Sequence, residues 1–91
     1  MTIEVFLDKY KVMIYGNRII INDKVGKITE EELKELVGYT INWKDNYTNN
    51  KIFESEEYMV KVDDKEYIFK GSYPENFSSF INFLGGLYDR K

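Results

Sequence analysis

Residues 71–84 read GSYPENFSSFINFL. They hold three of the chain's six phenylalanines and its single proline. Phe77, Phe80, Ile81, Leu84, Leu87 and Tyr88 recur at helical spacing, while Ser78, Ser79 and Asn82 fall outside the stripe. Such a stripe is wide enough to cover a sheet. Core packing accounts for every apolar position in it, so no ligand-gripping aromatic box is needed. Ser72-Tyr73-Pro74-Glu75 has the S-x-x-E form of a capping box, and proline is tolerated in a first helical turn. The reading is a helix over 73–87, capped by Ser72. Gly85-Gly86 is expected to fray its last turn or to let it approach a strand closely.

The material for a sheet lies upstream. In residues 3–8, Ile3, Val5 and Leu7 alternate with Glu4, Phe6 and Asp8. KVMIY and RIIIN flank Gly16-Asn17, a two-residue hairpin turn in which glycine at the first central position suits type II′. That turn pairs Ile14 with Ile19 and Val12 with Ile21 on one face, and Met13 with Ile20 on the other. EYMVKVDDKEYIFKG (57–71) reads as a second hairpin turning at Asp64-Lys65. Val62 then faces Tyr67 and Val60 faces Phe69, with Met59, Lys61, Ile68 and Lys70 on the opposite side.

Between the hairpins, Thr29-Glu30-Glu31-Glu32 is a capping box, with Ile28 and Leu33 placed as a hydrophobic staple. A helix is expected over 29–37, with Gly38 at its C′ position. Tyr39, Ile41 and Trp43 alternate as in a short strand, and DNYTNN reads as a surface loop. The expected fold is therefore a single α+β domain spanning 1–91. It is two-layered: an antiparallel sheet of about four to five strands with two helices on one face.

Composition excludes several kinds of chemistry. The chain has no histidine and no cysteine. The commonest general base is therefore missing, together with thiol nucleophiles and zinc–thiolate sites. No glycine-rich phosphate cradle is present. Net charge is −3, and two arginines and eleven lysines are scattered among sixteen acidic residues. That pattern does not build a phosphate-binding groove, so no nucleic acid is expected. No apolar run has the length of a membrane span. The N-terminus, MTIEVFLDKYKV, is broken by Glu4, Asp8 and Lys9 and is unlike a signal peptide. A cytoplasmic setting follows as an expectation, in a bacterium or a phage-infected host.

The carboxylates have local roles. Glu30, Glu31 and Glu32 complement a helix N-terminus. Glu54, Glu56 and Glu57 precede a strand, and Asp63 and Asp64 sit in a turn. Asp45, Asn46, Thr48 and Asn50 do not have the spacing of a calcium loop. No catalytic residue, cofactor or metal is expected.

The clearest functional lead is the sheet face away from the helices. It should carry Phe6, Met13, Tyr15, Ile20, Met59 and Ile68 among Glu4, Lys11, Arg18, Lys61 and Lys70. A solvated face normally alternates to polar. A half-apolar face with two methionines, rimmed by charge, has the make-up of an adaptable protein-binding surface. The alternative is that Tyr39, Trp43, Tyr47 and Phe53 fold over it as a second small core, leaving Trp43 and Tyr47 to contribute to binding. The candidate contact residues are thus Phe6, Met13, Ile20, Met59, Ile68, Trp43 and Tyr47.

From Thr29 onward the order is a T-x-E-E-L helix, a W-K-D-x-Y segment, a Y-x-V-x-V…Y-x-F-x-G hairpin and Y-P-E-N-F opening a helix. This order resembles a group of small bacterial proteins with a Gly-x-Tyr-Pro-Glu-Asn-Phe signature after a hairpin, carried here by residues 71–77. The layout is more distantly similar to emfourin-like proteinaceous inhibitors of metallopeptidases. No inhibitory residue matches by position. The resemblance implies a compact non-enzymatic module, an inhibitor among the forms it takes. The functional expectation is a protein-binding module with a protein partner. An anti-defence phage inhibitor and a self-associating homodimer are the alternatives.

Overall fold

The computed structural model describes residues 1–49 and 56–90. In chain order the elements are β1 (Thr2–Phe6), β2 (Lys11–Tyr15), β3 (Arg18–Ile21), β4 (Lys24–Lys27), α1 (Glu30–Thr40), β5 (Asn46–Thr48), β6 (Glu57–Val62), β7 (Lys65–Lys70) and α2 (Phe77–Arg90). The fold is α+β. Its sheet has seven strands in the order β4-β3-β2-β1-β6-β7-β5. It is larger than the expected four to five strands, and mixed, because β5 runs parallel to β7.

The first hairpin has the expected register, with Ile14 opposite Ile19, Val12 opposite Ile21 and Met13 opposite Ile20. Gly16 takes a φ of +60°, the left-handed region that glycine enters without a Cβ clash. The second hairpin turns one residue earlier, at Asp63-Asp64, so that Val60 faces Tyr67 and Tyr58 faces Phe69. Asp63 adopts a φ of +51°, and its Oδ1 accepts from the Thr2 amide at 2.8 Å. This link to β1 favours the tighter turn. The shift of pairing is by two residues, so each side chain keeps its face. β1 lies between the hairpins and pairs antiparallel with both β2 and β6.

Two strands were not foreseen. β4 follows a second tight turn at Asn22-Asp23, where Asn22 has a φ of +55° and its Oδ1 accepts from the Lys11 amide at 2.9 Å. β5 lies within the stretch read as a loop. The Ile68 amide donates to the Asp45 carbonyl and the Asn49 amide to the Lys70 carbonyl, each at 2.9 Å, and the Tyr47 ring stacks on Phe69.

Both helices depart from their expected ends. The capping box of α1 is present: the Glu32 amide donates to Thr29 Oγ1 at 3.1 Å, and Glu32 Oε1 accepts from the Thr29 amide at 3.0 Å. The helix runs through Gly38 to Thr40 because the residues beyond the glycine are needed in the core. Tyr39 stacks on Phe80 with ring centroids 6.2 Å apart, and Thr40 is buried. α2 starts at Phe77, not Tyr73, and Ser72 does not cap it. Tyr73 precedes proline, a position biased toward extended backbone. Its ring instead stacks on Phe77 at 4.8 Å and Phe69 at 6.2 Å. α2 also continues past Gly85-Gly86 to Arg90. A Cβ at Gly85 would lie 3.0 Å from Tyr10 Oη, so that glycine admits the Tyr10 side chain.

A single cluster of buried side chains joins these elements. Ile3, Val5, Val12, Ile14, Ile19, Ile21, Val60, Tyr67 and Phe69 alternate along the strands to one side of the sheet. They share the cluster with Phe77, Phe80, Leu84 and Leu87 of α2 and Leu36 of α1.

Candidate functional site: the sheet face opposite the core

Strand register builds the other face directly. Residues between the buried ones point the opposite way. Successive partners then form two apolar rows across the strands. Val25, Ile20, Met13 and Glu4 are neighbours in one, and Phe6, Met59 and Ile68 in the other. Charges continue both rows. Glu4 faces Lys61, Lys61 faces Glu66, and Phe6 faces Lys11. A third row joins Tyr15, Arg18 and Lys27.

Exposure is substantial for groups this apolar. Val25 is 72% exposed, Tyr15 49%, Ile20 40% and Phe6 39%. Met13, Met59 and Ile68 are half-buried by their neighbours. The structure thus brings Phe6, Met13, Ile20, Met59 and Ile68 together on one face. Val25 joins them and was missed, because residues 24–27 offer only four residues with a glycine among them. Its sequence signal was the turn dipeptide Asn22-Asp23.

Trp43 and Tyr47 lie elsewhere. Trp43 is 8% exposed and sits in the core cluster, edge-on to Tyr67 and Phe69 and 5.0 Å from the Phe80 ring. Its Nε1 donates to Asn76 Oδ1 at 2.7 Å, and Asn76 Nδ2 donates to the Tyr39 carbonyl at 2.8 Å. Tyr47 is half-buried against Phe69, on the core side. The described part of the 39–57 segment therefore fills the core and does not cover the opposite face. Asn50, Phe53 and Glu54 lie outside the described residues.

A concavity opens at the end of the sheet beside α2. It has a volume of about 320 Å³, and Asp8, Tyr10, Tyr58, Tyr73, Phe77 and Ile81 are among its lining residues. The Tyr58 hydroxyl donates to Glu56 Oε2 at 3.4 Å. Desolvation, then the negative charges of Asp8 and Glu56, raise its pKa above the usual phenol value. Among the described residues, no three Asp or Glu side chains cluster closely enough to hold a metal ion. No helix among them is long and apolar enough to cross a membrane. Comparison with family models, with curated proteins and with solved structures yields no match for this chain.

Proposed function

We propose that the protein is a non-enzymatic binding module that holds a partner protein against the helix-free face of its sheet, in the manner of a proteinaceous inhibitor. In this reading the domain is two-layered: the helices occupy one side of the sheet and the partner takes the other. The observation that carries it is the pair of apolar rows Val25–Ile20–Met13 and Phe6–Met59–Ile68 on an exposed face. Apolar groups at the centre of an interface supply most of its energy, while surrounding charges exclude wrong partners and fix orientation. The methionines add side chains that adapt to a partner's shape. The absence of histidine and cysteine favours binding over catalysis.

The test compares wild-type protein with Phe6→Lys and Met59→Lys. Partners are captured from the organism that encodes the chain and identified, and binding is then remeasured with the purified partner. Both variants should lose binding while melting at the wild-type temperature. A steep fall in melting temperature in both would show that the chain itself covers this face. Unchanged binding by both would remove the face as the contact surface.

A further inference from the structure

β4 ends the sheet on one side, and among the described residues no strand lies beyond it. Antiparallel partners alternate between pairs that exchange hydrogen bonds and pairs that do not. Ile21 and Lys24 flank the two-residue Asn22-Asp23 turn, so they are a bonded pair, as are Ile19 and Gly26 two residues on. The Ile28 amide keeps the same alternation, donating to the Asn17 carbonyl at 2.8 Å. The amides and carbonyls of Val25 and Lys27 therefore point away from β3, toward the open edge.

Edge strands are commonly protected by charged side chains, lysine above all. Lys24 gives no such protection. Its Nζ folds back over the Tyr88 ring, 4.0 Å from the centroid, and donates to the Tyr88 carbonyl at 3.0 Å. Gly26 has no side chain, and Val25 is the most exposed large hydrophobic residue among those described. Lys27 stands directly opposite Arg18. Like charges in that position repel, and among the described residues neither is in an ion pair. Asp23, in the turn before β4, is also exposed and outside any ion pair among these residues.

We propose that β4 pairs antiparallel with β4 of a second copy of this chain, about a twofold axis through Val25. In this register Val25 faces Val25, and Lys27 of each copy faces Asp23 of the other. The outward amide and carbonyl of each Val25 pair with those of the other, and each Asp23 carboxylate offsets the Arg18–Lys27 repulsion across the joint. The row Val25–Ile20–Met13 becomes continuous through both copies. Competing registers fit less well. A slide of one residue sets outward amides against inward ones and forms no ladder. A slide of two sets Val25 against Asp23 or Lys27, and a slide of four sets Lys27 against its own copy. The pairing uses the sheet edge, so it stands independently of whether the face binds a partner.

Sedimentation velocity of the full chain over a concentration series tests it. Wild type should shift from monomer to dimer as concentration rises. Val25→Pro removes an outward amide that β3 does not use, and should leave only monomer. Asp23→Lys and Lys27→Glu should each abolish the dimer by setting like charges together. The double variant Asp23→Lys/Lys27→Glu should restore it, because both intermolecular pairs are then reversed. Restoration also shows that the single charge reversals act at the joint and not through misfolding, so the test does not depend on how Val25→Pro folds. Met59→Lys, remote from the edge, should dimerise as wild type does. A wild type that stays monomeric at every concentration overturns the proposal. So does a dimer that survives both single charge reversals, or one that the double variant fails to recover.

Discussion

Asn76 shows how much one carboxamide can organise. It lies in the turn before α2, where its carbonyl accepts from the Phe80 amide at 3.0 Å. Its side chain accepts from Trp43 Nε1 and donates to the Tyr39 carbonyl, so one residue ties the end of α1 and the following turn to the start of α2. Asn76→Ala leaves the indole N–H of a largely buried tryptophan unpaired. The cost should be about 1–3 kcal/mol, the penalty for stranding a buried polar group. Asn76→Asp keeps the acceptor for the indole but sets a carboxylate oxygen against the Tyr39 carbonyl, so its midpoint in urea should also fall below that of wild type. Trp43 is the chain's only tryptophan, so its fluorescence reports the local change directly. Equal midpoints for all three proteins would show that the carboxamide contributes nothing. The sequence placed Asn76 inside a helix and gave no sign of this role, since both partners are more than thirty residues away.

At the scale of elements, the two S/T-x-x-E signatures have different outcomes. Thr29-x-x-Glu32 forms both reciprocal hydrogen bonds, whereas Ser72-x-x-Glu75 lies ahead of a helix that begins at Phe77. The local motifs are nearly equivalent. What separates them is the aromatic stack of Tyr58, Tyr73, Phe77 and Phe69, which holds residue 73 out of the helix. Thr29→Ala should cost about 1 kcal/mol, the usual loss for an N-cap. Ser72→Ala should leave the denaturation midpoint close to wild type. Equal losses in the two variants would mean that Ser72 caps the second helix after all. Hairpins were more legible than helix ends. Gly16-Asn17 set its register correctly, and even the misplaced second turn preserved the two faces, because the error was an even number of residues.

At the scale of the molecule, stability rests on one cluster shared by the sheet and both helices. Phe80 is fully buried within it and contacts the rings of Tyr39, Trp43 and Phe77. Phe80→Ala should cost about 3–5 kcal/mol, as large-to-small changes in well-packed cores do. That is a large share of the total for a chain of this size, about 5–15 kcal/mol. Far-ultraviolet circular dichroism and tryptophan fluorescence should report one common, lowered thermal transition. A wild-type melt would place Phe80 outside the core. Separate transitions by the two probes would show that the helices and sheet do not unfold together.

The sequence by itself determined the α+β class, the first hairpin register, the α1 capping box and the division of strand residues between two faces. Each follows from interactions a few residues long or from the strict two-residue period of a strand. It also foretold that Phe6, Met13, Ile20, Met59 and Ile68 share a face, because parity survives a register error of two. The tertiary structure alone decided the rest: the parallel pairing of β5, the extension of α1 through Gly38, the late start of α2 and the burial of Trp43. Each depends on contacts between distant parts of the chain, such as Tyr47 on Phe69, Tyr39 on Phe80 and Trp43 with Asn76. Those contacts override weak local preferences because burying an aromatic ring is worth more than a favourable cap or a well-placed glycine.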